Sequence, residues 1–369
     1  MTTTGDITAL AALRERMDGP VVLPGEPAWD QARRAWNLVA DQRPVAVAIP
    51  ASADEVAAVV RFAGERGLRV APQSTGHGAA PMGSLEGAIL LRTTRLAEVR
   101  VDTAARAARI GAGVNWRQVV GETAPHGLSP LAGSSPGVGA VGYTLGGGLG
   151  WLGRRFGLAC NAVRAAEVVT GDGRRLRVDA GHEPDLFWAL RGGGGSFAVV
   201  TALEIELFEV PSLYGGLMMW PWERAAEVLH AWREWASQVD EHVTSSGRLL
   251  QVPPIPAAPA PLRGRAFAVV EAACIGDAAA GEAAMAPLRA LGPEVDTFAP
   301  MGPDGLGSIH MNPEEPVPGI GDHALLREIT PAAVDALVAV AGPGSGSPLV
   351  SVELRQAGGA LARGGPGHG

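Results

Sequence analysis

A serine, a histidine and a glutamate–arginine pair stand out in this sequence for the residues around them. Ser135 lies in Gly133-Ser-Ser-Pro-Gly137, the GxSxG spacing of a hydrolase nucleophile. Such a nucleophile needs a strand before it and a helix after it, so that a strained turn lifts the hydroxyl clear. Pro136 and the glycines that follow fit this badly, which makes a serine hydrolase the weakest reading. Gly137-Val-Gly-Ala-Val-Gly142 overlaps it and matches GxGxxG. That turn cradles a dinucleotide only when it joins a strand to a helix and an acid follows about 20 residues on. Here it follows Ser-Ser-Pro, and the acid is missing. Pro72-Gln-Ser-Thr-Gly-His-Gly78 is a better candidate. A Gly- and hydroxyl-rich loop at the carboxyl end of a strand suits backbone N–H groups to phosphate. Downstream, Glu353 and Arg355 alternate with Val352 and Leu354, so both point to one face of a strand. The plain reading of that pair is a solvated strand face.

Regular elements must hold these residues. Residues 45–49 read as a strand, Ser52-Ala-Asp-Glu55 as a capping box, and Val56, Val59, Val60 and Ala63 as the buried face of a helix. With a strand at 68–71 this makes a β-α-β unit ending in the 72–78 loop. Strands follow at 88–91, 98–102 and 107–111, then a helix at 115–122. Next comes AGSSPGVGAVGYTLGGGLG, residues 132–150, uncharged and dense in glycine. It reads as neither a helix interior nor a flexible linker, and glycine at this density marks unusual φ or close approach to something bulky. A hairpin at 165–178 turns at Gly171-Asp-Gly173, and Gly192–Gly195 leads into a strand at 196–208. Three glycine-dense loops in one strand-rich region are expected to converge.

Past Pro211 the pattern alternates strands at 213–220, 248–252, 265–273 and 349–354 with helices at 223–239, 277–291 and 331–341. The second helix is expected to kink or end near Pro287. Val228, Leu229, Trp232 and Trp235 form a core stripe. Residues 309–318, holding His310 and Met311, have no regular pattern and are placed to line a site. Composition sets bounds: 369 residues suit two domains, and Cys160 and Cys274 are too few for a disulfide framework or a cysteine-built metal site. No metal ligand set is assigned. Net charge −8 argues against nucleic acid, and no apolar run is long enough for a membrane. The N-terminus reads as a short amphipathic helix rather than a signal peptide, which leads to the expectation of a cytoplasmic protein.

QSTGHGA at 73–79, SPLAGSSPGVGAVGYTLGGGLGWLGRRFGL at 129–158 and GGGGSFAVVT at 192–201, in that order, resemble the berberine bridge enzyme-like FAD-linked oxidases. These have the vanillyl-alcohol-oxidase, or PCMH-type, fold. The resemblance extends from VVLPGEPAWDQARRAWN to LVSVELRQAGGALAR. It implies an α+β protein, with a PCMH-type FAD-binding domain at 1–209 (core about 40–209) and a substrate domain at 210–355 whose antiparallel sheet is covered by helices. A Gly-rich tail at 356–369 is expected to be disordered.

By that resemblance Gln73, Ser74, Thr75, Gly76, His77 and Gly78 bind FAD, with His77 bonded to the flavin 8α-methyl carbon. Gly133, Ser134, Ser135, Gly137 and Gly139 would meet the pyrophosphate. Gly146, Gly147 and Gly148 would allow close approach, with Gly157, Asn161 and Val200 touching flavin or adenosine. Some relatives have a cysteine where Ser135 stands, so no cysteinyl bond is expected here. Tyr143 falls where some bacterial relatives place an active-site aromatic, and Glu353 and Arg355 would face the flavin, with Glu353 a candidate base or substrate-positioning acid. The implied activity is an oxidase that transfers hydride from a sugar, alcohol or secondary-metabolite substrate to FAD, with O2 as acceptor. Relatives continue past GGALAR with a segment rich in Tyr and Asn, so a C-terminally truncated, inactive flavin-binding remnant is the alternative expectation. Substrate identity and oligomeric state are left open.

Overall fold

The computed structural model describes residues 10–256 and 258–365. Strands β1 (Val21–Val22), β2 (Ala46–Ala48), β3 (Arg69–Gln73) and β4 (Ala88–Arg92) make a first sheet in the order β1-β2-β4-β3. β2 and β3 each run parallel to β4, which lies between them. Parallel strands need a crossover, and the helix Ala53–Gly64 supplies one. Ser52 caps that helix by accepting from the Glu55 N–H at 3.2 Å. The other half of the expected capping box goes elsewhere: the Glu55 carboxylate accepts from the N–H groups of Gly19 and Ala51. Val56, Val59, Val60 and Phe62 of this helix are buried against Ile89 and Leu91 of β4.

A second sheet holds β5 (Val99–Asp102) and β6 (Ala107–Gly111). The short β7 (Leu128–Ser129) stands outside it. β8 (Val163–Val169), β9 (Arg175–Asp179) and β10 (Val199–Glu206) complete the order β5-β6-β10-β8-β9, all antiparallel. β11 (Phe208–Glu209) pairs with β7. One surprise lies in the glycine-rich stretch, where Ala140–Leu145 is a short α-helix. The expectation of no helix there fails because the glycines cluster at its two ends. Its interior is Ala-Val-Gly-Tyr-Thr-Leu, and Ala140, Val141 and Leu145 are buried.

The third sheet is built from β12 (Leu213–Pro221), β13 (Val243–Gln251), β14 (Ala266–Ile275), β15 (Val295–Asp296), β16 (Ala299–Met301) and β17 (Ser351–Arg355). Its order is β15-β12-β14-β13-β17, with β16 also beside β12. Every pair is antiparallel. Helices Ala225–Gln238, Ala278–Arg289 and Pro331–Ala341 cover one face, where Trp232 and Trp235 join Ala268, Val270 and Ala272 in a core. The tryptophan stripe is therefore packing, as expected. Pro287 stays inside its helix, close enough to the end that losing one N–H does not break it. None of the helices among the described residues is long and apolar enough to cross a membrane.

Residues 356–365 are packed, contrary to the expected disorder; residues 366–369 lie outside the described residues. Gln356 is buried, donating to the Ala236 carbonyl at 2.5 Å and accepting from the Ser245 hydroxyl at 2.8 Å. A turn at Gly359–Ala362 rests on Gly153–Phe156. The buried Arg154 donates to the carbonyls of Val239 (3.3 Å), Asp240 (3.1 Å) and Ala357 (3.3 Å). Arg155 and Arg363 both reach Glu241. Glycine content suggested mobility, whereas these long-range polar contacts, invisible to composition, hold the segment. Arg154→Ala would leave three carbonyls unanswered and lower stability by about 2 kcal/mol in urea unfolding. Arg363→Ala, whose bridge is exposed, would move the midpoint little.

Candidate functional site

The 73–79 loop turns sharply because Gly76 takes φ 85°, a left-handed conformation that suits glycine. A Cβ there would sit 2.9 Å from Ala35 and from Gln73 Nε2. His77 stacks on Trp36, with ring centroids 4.0 Å apart and planes 15° from parallel. Its Nδ1 is 2.8 Å from the Thr75 hydroxyl. Its Nε2 is shielded and has no hydrogen-bond partner among the described residues. Burial pushes the imidazole down to about 4, so the ring is neutral near pH 7 and Nε2 or Nδ1 offers a lone pair.

This loop meets the glycine-rich stretch directly. The Gly139 N–H donates to Thr75 Oγ1 at 3.4 Å, and a Cβ on Gly139 would be 3.0 Å from the Ser74 side chain. Gly139 also bridges Asn115, the N-cap of the helix Trp116–Thr123. The third loop joins from the other side: residues 194–196 pack on the helix Ala140–Leu145. All three loops therefore converge, as their composition suggested. At the centre is Tyr143, edge-on to Trp116 with centroids 5.5 Å apart. A Cβ on Gly133 would be 2.8 Å from its ring, and one on Gly148 2.6 Å. The phenol oxygen is buried with no partner among the described residues. Burial pushes this phenol well above its ordinary range, with Arg355 pulling weakly the other way. Tyr143 is thus a neutral hydrogen-bond donor, not a base.

The third sheet faces this region with a polar surface that its register creates. Ser246 of β13 pairs with Glu271 on one side and Arg355 on the other; Arg248 pairs with Val269 and Glu353. Residues two apart share a face, so Glu271, Arg248, Glu353 and Arg355 gather on the side away from the helices. Arg248 and Glu271, 6% and 0% exposed, form an ion pair at 2.9 Å. His310 enters from the loop after the turn Pro303–Ser308, its Nδ1 2.6 Å from Glu271 and its Nε2 3.6 Å from Glu353. Arg355 donates to Glu353 at 2.7 Å. Burial works against the Glu353 charge. The Arg355 bond, then the charges of Arg355, of His310 when it is protonated and of Arg248, outweigh it and hold this carboxyl below its ordinary range.

One cavity joins the two sides. Ser134, Leu149, Gly150 and Trp151 line it from the glycine-rich stretch, Thr244, Ser245 and Ser246 from β13, and Glu353, Arg355 and Gln356 from the chain's last strand onward. Gly150 must lack a side chain, since a Cβ would overlap the Ala132 carbonyl oxygen. Ser135 and Gly137 line a separate cleft with Asn312, which donates to the Ser134 carbonyl at 3.1 Å. Gly147 and Gly148 accept from the N–H groups of Cys160 and Ala159. Gly146 ends the short helix, and Gly157 takes φ 93°. Asn161 lies in the turn Ala159–Ala162, and Val200 is buried in β10. His77, Gly157, Asn161 and Val200 are not among the residues lining the Glu353 cavity.

The Glu353 side chain is 17% exposed and that of Arg355, on the same face, 46%. Trp36, Arg248 and Glu271 were not singled out from sequence, and His310 only as part of a loop. A signal existed: Glu271 is the one charge in Ala-Phe-Ala-Val-Val-Glu-Ala-Ala-Cys-Ile, and a charge in an apolar strand demands a partner. Removing that partner should be costly. Arg248→Met is expected to lower stability by about 3–5 kcal/mol in denaturant titration, and adding Glu271→Met should recover much of the loss.

The shielded Gln73, His77, Tyr143 and Trp151 polar atoms are unanswered among the described residues. Folds keep such groups chiefly where a ligand or water answers them. Residues 44–179 match the family model of an FAD binding domain. The (R)-6-hydroxynicotine oxidase of Paenarthrobacter nicotinovorans is 36% identical over 205 residues, 55% of this chain and 45% of that protein. Glucooligosaccharide oxidase of Sarocladium strictum is 34% identical over 214 residues, 56% of this chain and 43% of that protein. The chain thus spans about half the length of these curated relatives. The crystal structure of 6-hydroxy-D-nicotine oxidase from Arthrobacter nicotinovorans is similar with TM-score 0.70 and 30% identity, covering 80% of this chain and 64% of that one. Xylooligosaccharide oxidase from Myceliophthora thermophila, solved with xylobiose, shares the fold at TM-score 0.79 and 21% identity, over 98% and 78% of the two chains. Physcomitrella patens BBE-like 1 does so at TM-score 0.78 and 18% identity, over 96% and 78%. Residues 44–179 are thus an FAD binding domain, in a chain whose fold is similar to that of these oxidases.

Proposed function

We propose that this protein is an FAD-dependent oxidase that converts the hydroxyl-bearing carbon of a sugar, alcohol or related secondary metabolite to a carbonyl. The observation that carries the reading is the single cavity where Ser134 and Gly150 of the glycine-rich stretch face Glu353 and Arg355. A polar acid–cation pair set across from Trp151 and from Gly150, where no side chain fits, suits a flat cofactor with a small polar substrate over it. FAD, when bound, would accept the hydride and return its electrons to O2, giving hydrogen peroxide.

In this reading residues 1–209 hold the cofactor and 210–355 hold the substrate. The loop 73–78 and the glycines from Gly133 to Gly148 would supply N–H groups and clearance, with Gly157, Asn161 and Val200 as outer contacts. Neutral His77, with Nε2 unanswered and Gly76 and Gly78 leaving room, suits a single covalent tether to the flavin. Ser135 offers no thiol for a second one. Glu353, held as a carboxylate by Arg355, would take the substrate hydroxyl proton. Tyr143 would donate a hydrogen bond, and Trp151 would help exclude water.

Acid precipitation of the purified protein tests the tether: a yellow pellet is expected from the wild type and a colourless one from His77→Ala. Tethering of added FAD to apoprotein should hold its rate until the pH falls toward about 4, where the imidazole becomes protonated and loses its lone pair. Oxygen uptake with a panel of sugars and alcohols tests the activity. Glu353→Gln should cut kcat/KM by about 100-fold or more without loss of flavin. A protein that binds no flavin would sink the proposal.

A further inference from the structure

We infer that the base of this site is a two-residue unit in which His310 receives the proton that Glu353 takes from the substrate. The inference rests on the oxidase reading above and on the atoms around His310. Glu271 Oε2 can only accept, and it lies 2.6 Å from His310 Nδ1, so Nδ1 carries a proton. Arg248 can only donate, and its guanidinium is 3.1 Å from Nε2, so Nε2 keeps a lone pair. The Arg248–Glu271 ion pair and the Ser246 hydroxyl, 3.0 Å from Glu271, fix this arrangement.

That leaves two acceptors facing each other, His310 Nε2 and Glu353 Oε2, 3.6 Å apart and without a proton between them. A proton arriving on Glu353 turns this opposition into an O–H···N hydrogen bond. The surroundings are therefore matched to the state after proton abstraction, which is the condition for accelerating that step. Arg355, which donates to Oε1 at 2.7 Å and more loosely to Oε2 at 3.3 Å, favours the state before it. Glu271, His310 and Glu353 also present three ligand atoms within 4.8 Å of one another. Arg248 already occupies the position of a cation there, in contact with two of the three, which favours proton transfer over metal binding.

The step balances as follows. The substrate O–H bond breaks and its proton passes through Glu353 Oε2 to His310 Nε2. The adjacent C–H would leave as hydride with both electrons, which FAD held by the loop 73–78 and the glycine-rich stretch would accept, and the carbon–oxygen bond would become a carbonyl. The resulting imidazolium lies between the Glu271 and Glu353 carboxylates, and its proton is returned when O2 is reduced to hydrogen peroxide. The groups that face His310 are Glu271, Arg248, Glu353 and, 6.4 Å away, the Trp151 ring.

Two measurements on the holoprotein test this. In 15N-histidine NMR, the resonance lost in His310→Gln should show a protonated Nδ1 and a bare Nε2 near neutral pH, and Glu353→Gln should shift Nε2. In anaerobic stopped flow with a reducing sugar or alcohol that the wild type oxidises, His310→Gln should slow flavin bleaching about 10- to 100-fold and displace its pH profile, with KM changed by less than about 3-fold. Imidazole added to His310→Ala should restore part of the rate. A protonated Nε2, or a bleaching rate and pH profile untouched by His310→Gln, would overturn the inference. If no substrate bleaches the flavin, the oxidase reading fails, and the NMR experiment still decides the proton arrangement.

Discussion

Close backbone approach is the constraint on which the rest of this structure depends. Between Gly133 and Gly150 the chain folds around the Tyr143 ring so tightly that side chains at Gly133, Gly148 or Gly150 would collide with the ring or with the Ala132 carbonyl. This compression brings the stretch against the 73–79 loop at Gly139 and sets a wall of Ser134, Leu149, Gly150 and Trp151 toward the third sheet. Glycine usually weakens structure by adding freedom to the unfolded chain. Here the ring and the paired N–H groups of Ala159 and Cys160 take that freedom away.

Across from that wall, the sheet register does the electrostatic work. Pairing of β14, β13 and β17 sets Glu271, Arg248 and Glu353 on one surface, so charges far apart in sequence share a small volume. Buried charges are tolerated when each has a partner. Arg248 and Glu271 are partners, and His310 and Arg355 complete the set. The neutral imidazole of His77 lies outside this charged set, in a pocket whose burial disfavours any charge. The two ends of the site are thus kept at different polarity.

Much of this was readable in the sequence, and unevenly so. The helix Ala225–Gln238, the hairpin β8–β9 and strand β12 follow from periodicity and turn residues, which are local signals. The convergence of three glycine-dense loops was legible because glycine at that density has few other uses. The helix Ala140–Leu145 was hidden by the glycines that flank it. The Arg248–Glu271–His310 cluster depends on pairing across strands, which one-dimensional patterns do not encode. Residues 356–365 looked like a loose tail because composition cannot report contacts with Glu241 or Arg154.

Arg154 and Ala357, joined by a hydrogen bond, stand 203 residues apart in the chain. That bond makes the middle of the protein a closed circuit. The entropy of closing so long a loop grows only slowly with its length, yet it must be met before the contact gives anything back. The region around Arg154 adjoins the glycine-rich wall, so the residues that follow β17 brace one side of the cavity while Glu353 and Arg355 of β17 line the other.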